Sequence, residues 1–360
     1  MRLLFVGTNR GGGGTESHFI TLALAMLEAG HAVAAVVYPG SPIHTGLVGR
    51  GVQLYDGTFR NAFDPRGIRA VFKASRDFHP DWIISSFSKE YWPLALISHI
   101  LRVKLALFKH MDFPMRPATR YFIPRLASRF IVISDYMRNC FIAYGIPSSH
   151  IQVLHNPLDL GYFRPDPLLR HATRETLGLK EDDIVLGFVG ALHRDKGIFI
   201  LADAVNQAMA SLPKLKALWV GEGPASTELI AHIHNGDFTT RHIIHKWAAD
   251  VRPYYAAMDM FAIPSVKSET FGRVSIEAQA CGVPLLCSNH GGIPETLEPG
   301  ITGQLLPPGD ISAWRDAILV LAGNEQIRAQ MKERGRSWVT QQFSAPVIAR
   351  QFELLLEKER

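Results

Sequence analysis

The sequence predicts an α/β protein of two doubly wound domains, each a parallel sheet with helices on both faces. Three observations carry that prediction. Short, largely apolar and β-branched runs alternate with longer amphipathic segments along the chain. The alternation occurs in two series, separated by a stretch rich in proline and glycine. The length, 360 residues, is that of two domains at roughly 100–200 residues each.

Taken in order, the first series has strands at Leu3–Val6, Ala32–Tyr38, Trp82–Ser85, Leu105–Phe108 and Phe130–Ile133. Each is short, apolar and bounded by polar or turn-forming residues. Helical spacing of apolar residues fills intervals such as Glu16–Ala29 and Ile68–Phe78. The joint falls in Asn156–Leu168, where Pro157, Gly161, Pro165 and Pro167 cluster. The second series runs through Val185–Val189, Ala217–Val220, Ile243–Ile244, Met260–Ile263 and Leu285–Cys287. A last amphipathic helix, Ala345–Lys358, places Val347, Ile348, Phe352, Leu355 and Leu356 at helical spacing.

Composition excludes several classes. At 47% hydrophobic and 20% charged residues the chain is ordinary globular protein. Cys140, Cys281 and Cys287 cannot make a complete disulfide set and lack metal-ligand spacing, which points to a reducing compartment. The apolar stretch at residues 3–6 gives way to Gly11–Gly14, so no signal-peptide core is expected. No run approaches the ~18 apolar residues that span a bilayer. The expected setting is the cytoplasm, at the inner face of the cell membrane if the basic segment described next binds there.

Charge is unevenly spread. Residues 1–160 carry 17 Lys/Arg against 10 Asp/Glu, while the remaining 200 carry 21 against 23. Between His99 and Arg129 stand seven basic residues (Arg102, Lys104, Lys109, Arg116, Arg120, Arg125, Arg129) and one acid, Asp112, with Ile100, Leu101, Tyr121, Phe122, Ile123 and Leu126 interleaved. Such a segment is either a solvated helix face or an attachment to an anionic membrane or acidic acceptor. Nucleic acid is not an expected partner, because no recognised module accompanies the charge.

The chemistry-bearing residues gather where strands would end. Glu269-Thr-Phe-Gly-Arg-Val-Ser-Ile-Glu277 puts two carboxylates eight residues apart, the first in a loop leaving a strand and the second inside the next helix. The backbone of Phe271, Gly272 and Arg273 would stand at that helix's N-terminus, suited to an anion. Gly190-Ala191-Leu192-His193-Arg194-Asp195-Lys196-Gly197 offers two cations to a diphosphate, the lysine as a point charge and the arginine as a fork. Gly11 to Gly14 would let backbone approach a phosphate. No Gly-Lys-Ser/Thr follows them, so this is not a P-loop. The second strand ends Val37-Tyr38-Pro39 without the acid that a nicotinamide dinucleotide's ribose wants. His110 and Asp112 lie just past another strand end. Metal-site and nucleophile-elbow motifs are absent, so no metal and no cofactor are expected.

These residues resemble the retaining GT-B glycosyltransferases of the group-1 type, glycosyltransferase family 4. Glu269 to Glu277 with Ala278-Gln-Ala-Cys-Gly282-Val-Pro284 is similar to that family's Glu-x7-Glu signature and its Ala-x-Gly-x-Pro sequel. Gly13-Gly14-Thr15-Glu16, Asn156-Pro157-Leu158-Asp159, Gly291-Gly292-Ile293-Pro294-Glu295 and Gly303-Gln304-Leu305-Leu306 resemble further landmarks in the family's order. The resemblance implies two Rossmann-like domains facing a cleft: residues 1–160 for the acceptor and 161–340 for the nucleotide sugar. Residues 341–360 would form a helix that crosses back to the first domain.

The implied reaction moves a sugar from a nucleoside diphosphate sugar to a hydroxyl of a glycan or lipid-linked acceptor, as in lipopolysaccharide or other cell-surface polysaccharide assembly. By position, Glu277 would hold the ribose, and Glu269 the transferred sugar together with the backbone of Phe271 to Val274. Lys196 would neutralise the diphosphate, Gly13 and Gly14 would approach it, His110 would touch the donor sugar, and the backbone near Trp247 would frame the base. Glu269, His110 and Lys196 are the residues expected nearest the reacting centre. The family's arginine after Gly190 is replaced by Ala191, and Arg194 is expected to substitute for it. A sugar-nucleotide epimerase and a catalytically silent nucleotide-sugar-binding subunit are the alternatives.

Overall fold

The computed structural model describes residues 1–267 and 269–358; Ser268 and the last two residues of the expected C-terminal segment lie outside them. The chain falls into two compact units, Met1–Asp159 with the segment from Phe343 onward, and Leu160–Gln342.

The first unit contains β1 (Arg2–Gly7), α1 (Gly14–Glu28), β2 (Ala32–Val37), α2 (Pro42–Leu47), β3 (Gln53–Asp56), α3 (Pro65–Phe78), β4 (Trp82–Ser85), α4 (Tyr91–Leu101), β5 (Lys104–Lys109), α5 (Pro117–Leu126), β6 (Arg129–Val132), α6 (Asp135–Ala143) and β7 (Ile151–Val153). Its sheet is parallel in the order β3-β2-β1-β4-β5-β6-β7. Local chemistry starts the helices. Asp64 accepts from Arg66 N at 3.1 Å with Pro65 at the first position of α3, and Ser134 caps α6 through Met137 N at 3.1 Å.

The second unit contains α7 (Pro167–Thr176), β8 (Ile184–Val189), α8 (Ile198–Met209), β9 (Leu215–Val220), α9 (Ser226–His234), β10 (His242–His245), α10 (Arg252–Ala257), β11 (Met260–Ile263), α11 (Arg273–Ala280), β12 (Leu285–Ser288), β13 (Gly303–Leu306), α12 (Ile311–Gly323) and α13 (Glu325–Phe343). Its sheet is also parallel, in the order β10-β9-β8-β11-β12-β13. The last helix, α14 (Ala345–Glu357), packs Ile348, Ala349, Phe352 and Leu356 into the first unit's core beside Phe19, Leu22 and Phe108.

Sequence reading missed β3, β7 and β13, each a sheet edge. The reason is physical. Gln53-Leu-Tyr-Asp, Ile151-Gln-Val and Gly303-Gln-Leu-Leu are short and carry polar residues, because an edge strand is less enclosed than a central one. Both sheets reverse direction of winding once, between β1 and β4 and between β8 and β11. In open parallel sheets the strand ends beside such a reversal are where ligands bind.

Candidate active site

In the second unit, β8 and β11 deliver their following loops to the reversal point. The β8 loop brings Lys196 and the β11 loop brings Glu269, and they meet as an ion pair, Lys196 Nζ to Glu269 Oε2 at 2.6 Å. Ser265 Oγ donates to the same carboxylate oxygen at 3.1 Å. The lysine side chain remains 31% exposed, so the pair is open to a ligand.

Two glycines make this approach possible. Gly197 has φ +68°, and a side chain there would strike Pro264 O at 1.9 Å. Gly291, at φ +61°, has the same relation to Glu269 O at 2.1 Å. Gly292 N donates to Glu269 O at 2.8 Å, which fixes the backbone of the Glu269 loop.

Gly272, in the left-handed region, caps α11. Four residues separate Arg273 from Glu277, one helical turn, and Arg273 Nε donates to Glu277 Oε1 at 2.8 Å. The second oxygen of Glu277 accepts from Tyr255 OH at 3.1 Å. Burial pushes the Glu277 carboxyl upward, and Arg273 and the hydrogen bonds oppose that shift. Burial also raises the Tyr255 hydroxyl well above its ordinary value, helped by the Glu277 charge, so it stays a donor. Phe271 is a core side chain, 1% exposed, which leaves its backbone as the part at the helix end. Val274 is half-buried on the first turn of α11, and Trp247 is exposed in the loop after β10.

Arg194 is not part of this cluster. Its guanidinium pairs with Glu228 on α9 and lies over the Phe199 ring at 4.9 Å. A carboxylate and an aromatic face from neighbouring helices hold it, a placement that chain spacing alone does not reveal.

In the first unit, Gly13 and Gly14 are exposed at the start of α1. Apart from its chain neighbours and the backbone of its own helix, no described atom lies within 4 Å of where a Gly14 side chain would begin, so packing does not demand glycine there. His110 is buried just past β5, its ring 4.7 Å from that of His18, and His18 Nδ1–H donates to Asn156 Oδ1 at 2.9 Å. The Asn156 landmark thus has a structural partner on α1. Asp112 accepts from Tyr136 OH at 3.5 Å.

Sequence reasoning missed Glu90. It is fully buried beside the β1–β4 reversal, where it accepts from Thr8 N at 2.9 Å, Thr8 Oγ1 at 2.7 Å and Ser85 Oγ at 2.7 Å. An acid between a strand end and the apolar run Tyr91-Trp92-Pro93-Leu94 was the available signal. Tyr255 and Ser265 were also missed; neither residue type stands out without its carboxylate partner.

Residues 170–338 match the family model for glycosyl transferases group 1, and residues 12–162 match that for glycosyltransferase family 4. D-inositol 3-phosphate glycosyltransferase of Mycobacterium tuberculosis is 32% identical over 245 residues, 64% of this chain and 50% of that protein. The chain therefore spans about half the length of the curated relatives it matches. Among solved structures, HepE of Anabaena in complex with UDP and glucose superposes with a TM-score of 0.83 at 25% identity, over all of both chains. A Rickettsia africae glycosyltransferase shares the fold, with a TM-score of 0.86 at 18% identity over 99% of each chain.

Proposed function

Because the chain belongs to the group-1, family 4 glycosyltransferases, we propose that it transfers a sugar from a nucleoside diphosphate sugar to an acceptor hydroxyl. The observation that carries the reading is the Lys196–Glu269 pair at the β8–β11 reversal, with the Arg273–Glu277–Tyr255 cluster on the adjoining helix. In this reading Glu277 accepts from the ribose hydroxyls and Glu269 holds hydroxyls of the transferred sugar. Lys196 and the backbone at the start of α11 meet the diphosphate. The uridine base is supported by HepE, which is described in complex with UDP and glucose. The first unit's Gly13, Gly14 and His110 are donor contacts by family resemblance.

In the reaction, the bond between the anomeric carbon and the diphosphate oxygen breaks while the acceptor oxygen bonds to that carbon from the same face. The acceptor proton passes to the departing phosphate, so configuration is retained and no side chain serves as base. Positive charge grows on the sugar carbon and negative charge on the diphosphate. Lys196 stabilises the latter with a charge already in place, held by Glu269 before substrate arrives. The reading uses this cation in the role that a metal fills elsewhere.

For the acceptor, a phosphorylated or lipid-linked glycan at the inner face of the cell membrane fits the basic first unit, and cell-surface polysaccharide or lipopolysaccharide assembly is the corresponding process. Melting of the purified chain with UDP-, GDP- and ADP-sugars tests the donor. UDP-sugars are expected to raise Tm by mass action. A chain indifferent to every nucleoside diphosphate sugar sinks the reading, and rapid epimerisation of donor without acceptor replaces it with an epimerase.

A further inference from the structure

The first unit carries a surface that the transfer chemistry does not use. Helix α4 shows Trp92, Leu96 and Ile100 at i, i+4 and i+8, and α5 beside it shows Tyr121, Phe122 and Leu126. These six side chains are between 37% and 61% exposed. The two helices are joined across the face: Trp92 Nε1 donates to Thr119 Oγ1 at 3.0 Å, and the Trp92 and Phe122 rings lie 6.3 Å apart. At the far end, Ile100 and Leu126 line one pocket of about 550 Å³. The stripe is therefore one contiguous apolar face rather than scattered residues, and such faces mark interaction sites.

Its surroundings are cationic. Helix α3 presents Arg69, Lys73 and Arg76 at i, i+4 and i+7, and with His79 and Arg102 they line a groove of about 760 Å³ at the C-terminal ends of α3 and α4. Arg102 belongs both to this groove and to the Ile100–Leu126 pocket, so the basic and apolar zones adjoin. Ser75 lines the same groove, and its hydroxyl is buried without a hydrogen-bond partner. His79 and Arg102 hold left-handed backbone, φ 47° and 55°, unusual for residues other than glycine. Cations favour a helix C-terminus on their own account. That end effect fades within the last turn, whereas the α3 stripe extends over two turns. Arg76 also pairs with Asp77 at 3.4 Å, which leaves Arg69 and Lys73 as the stripe's open charges.

We propose that the α4–α5 face, with the basic groove at its edge, docks this chain onto an anionic phospholipid surface, where aromatic and aliphatic side chains enter the interface and the groove takes lipid phosphates. Charge complementarity commits the face to this occupant. Between residues 99 and 129 the only acid is Asp112, which is engaged with Tyr136. Trp, Tyr and Arg beside Leu and Ile are the side chains that suit a bilayer's interfacial zone. Two of the seven basic residues singled out in the sequence do not contribute. Arg129 is buried and donates to Leu355 O at 2.6 Å, fastening α14, and Lys109 is buried at the end of β5. Arg69 and Lys73, distant in sequence, take their place. The inference rests on the proposed membrane-linked acceptor for its purpose, not for its measurement.

The test is co-sedimentation of the full chain with vesicles of phosphatidylcholine alone and of phosphatidylcholine with phosphatidylglycerol. Binding to the anionic vesicles only, weakening with salt, is expected. Leu96→Glu with Ile100→Glu should weaken it at least about tenfold. Arg69→Glu and Lys73→Glu should each weaken it about fivefold or more. All these variants should keep the parent melting temperature and its turnover of a soluble acceptor. Equal partition to both vesicle types, or none, overturns the proposal. So does a dimer of the parent chain that Leu96→Glu dissociates without any vesicle binding, which would make the face a contact between copies. Vesicle binding by a chain inactive with every donor leaves the face standing and removes the transferase reading instead.

Discussion

The two winding reversals are built alike and charged differently. Beside β1 and β4, Glu90 is wholly enclosed and accepts hydrogen bonds from neutral groups of its own unit, on Thr8 and Ser85. Burial raises its carboxyl above the ordinary range against those hydrogen bonds. Beside β8 and β11, Glu269 meets a cation whose side chain is still open to solvent. An acid whose acceptor capacity is spent on the chain holds a loop in place. A paired acid and base with an open side retain capacity for a ligand. The glycines follow the same division: those at 197 and 291 are imposed by neighbouring backbone, whereas Gly14 has no neighbour that requires it. The fold explains the first kind; the proposed ligand explains the second.

Substitutions can break or sharpen this contrast. Lys196→Ala has the largest expected effect: kcat should fall about 10²–10³-fold with little change in Tm, as for loss of one preorganised charge. Comparable loss of Tm and activity would make the pair structural. A second test separates the fold of the second unit from its site. His242 accepts at Nδ1 from Trp219 Nε1 (3.1 Å) and donates from Nε2 to Asn206 Oδ1 (2.9 Å), an arrangement only the neutral ring can make. Burial, followed by the nearby His232, lowers its pKa to about 4. The unfolded chain then binds the proton more readily, so stability is retained above pH ~6.5 and falls towards pH 4, by on the order of 3 kcal/mol. Denaturant titrations at both ends should show this slope, and His242→Gln should flatten it.

Glu90→Ala should cost about 1–3 kcal/mol in denaturant melts, because Thr8 N–H and the hydroxyls lose a buried acceptor. An equal Tm with lower kcat would instead make Glu90 part of the chemistry. Arg194→Ala should change KM and kcat by no more than about fivefold, the exposed Glu228 pair being worth ~0–1 kcal/mol. A hundredfold loss would show that the arginine leaves Glu228 for the diphosphate. Smallest of all, Gly14→Ala should change the unfolding free energy by no more than about 0.5 kcal/mol. Its effect on donor KM then reports directly on ligand approach.

Much of this was legible in the residues. Central strands such as Leu3–Val6 and Val185–Val189 announce themselves because both of their faces are buried. Of the four edge strands only β10 was marked, by Ile243-Ile244, while β3, β7 and β13 emerged only from their pairing. Glu269, Glu277 and Lys196 could be read because strand ends and helix starts have local signatures. Tyr255 and Ser265 could not, since a hydroxyl's role depends on which carboxylate it meets.

By itself the sequence determined the two parallel sheets, the order of their landmarks and the spacing that puts Arg273 and Glu277 on one turn. Periodicity and covalent distance suffice for such features. The tertiary structure decided partners: Arg194 with Glu228, Arg129 with the end of α14, and Arg69 and Lys73 in one groove with Arg102. Long flexible side chains select partners by proximity in space, and proximity between elements is set by packing, which no local spacing encodes.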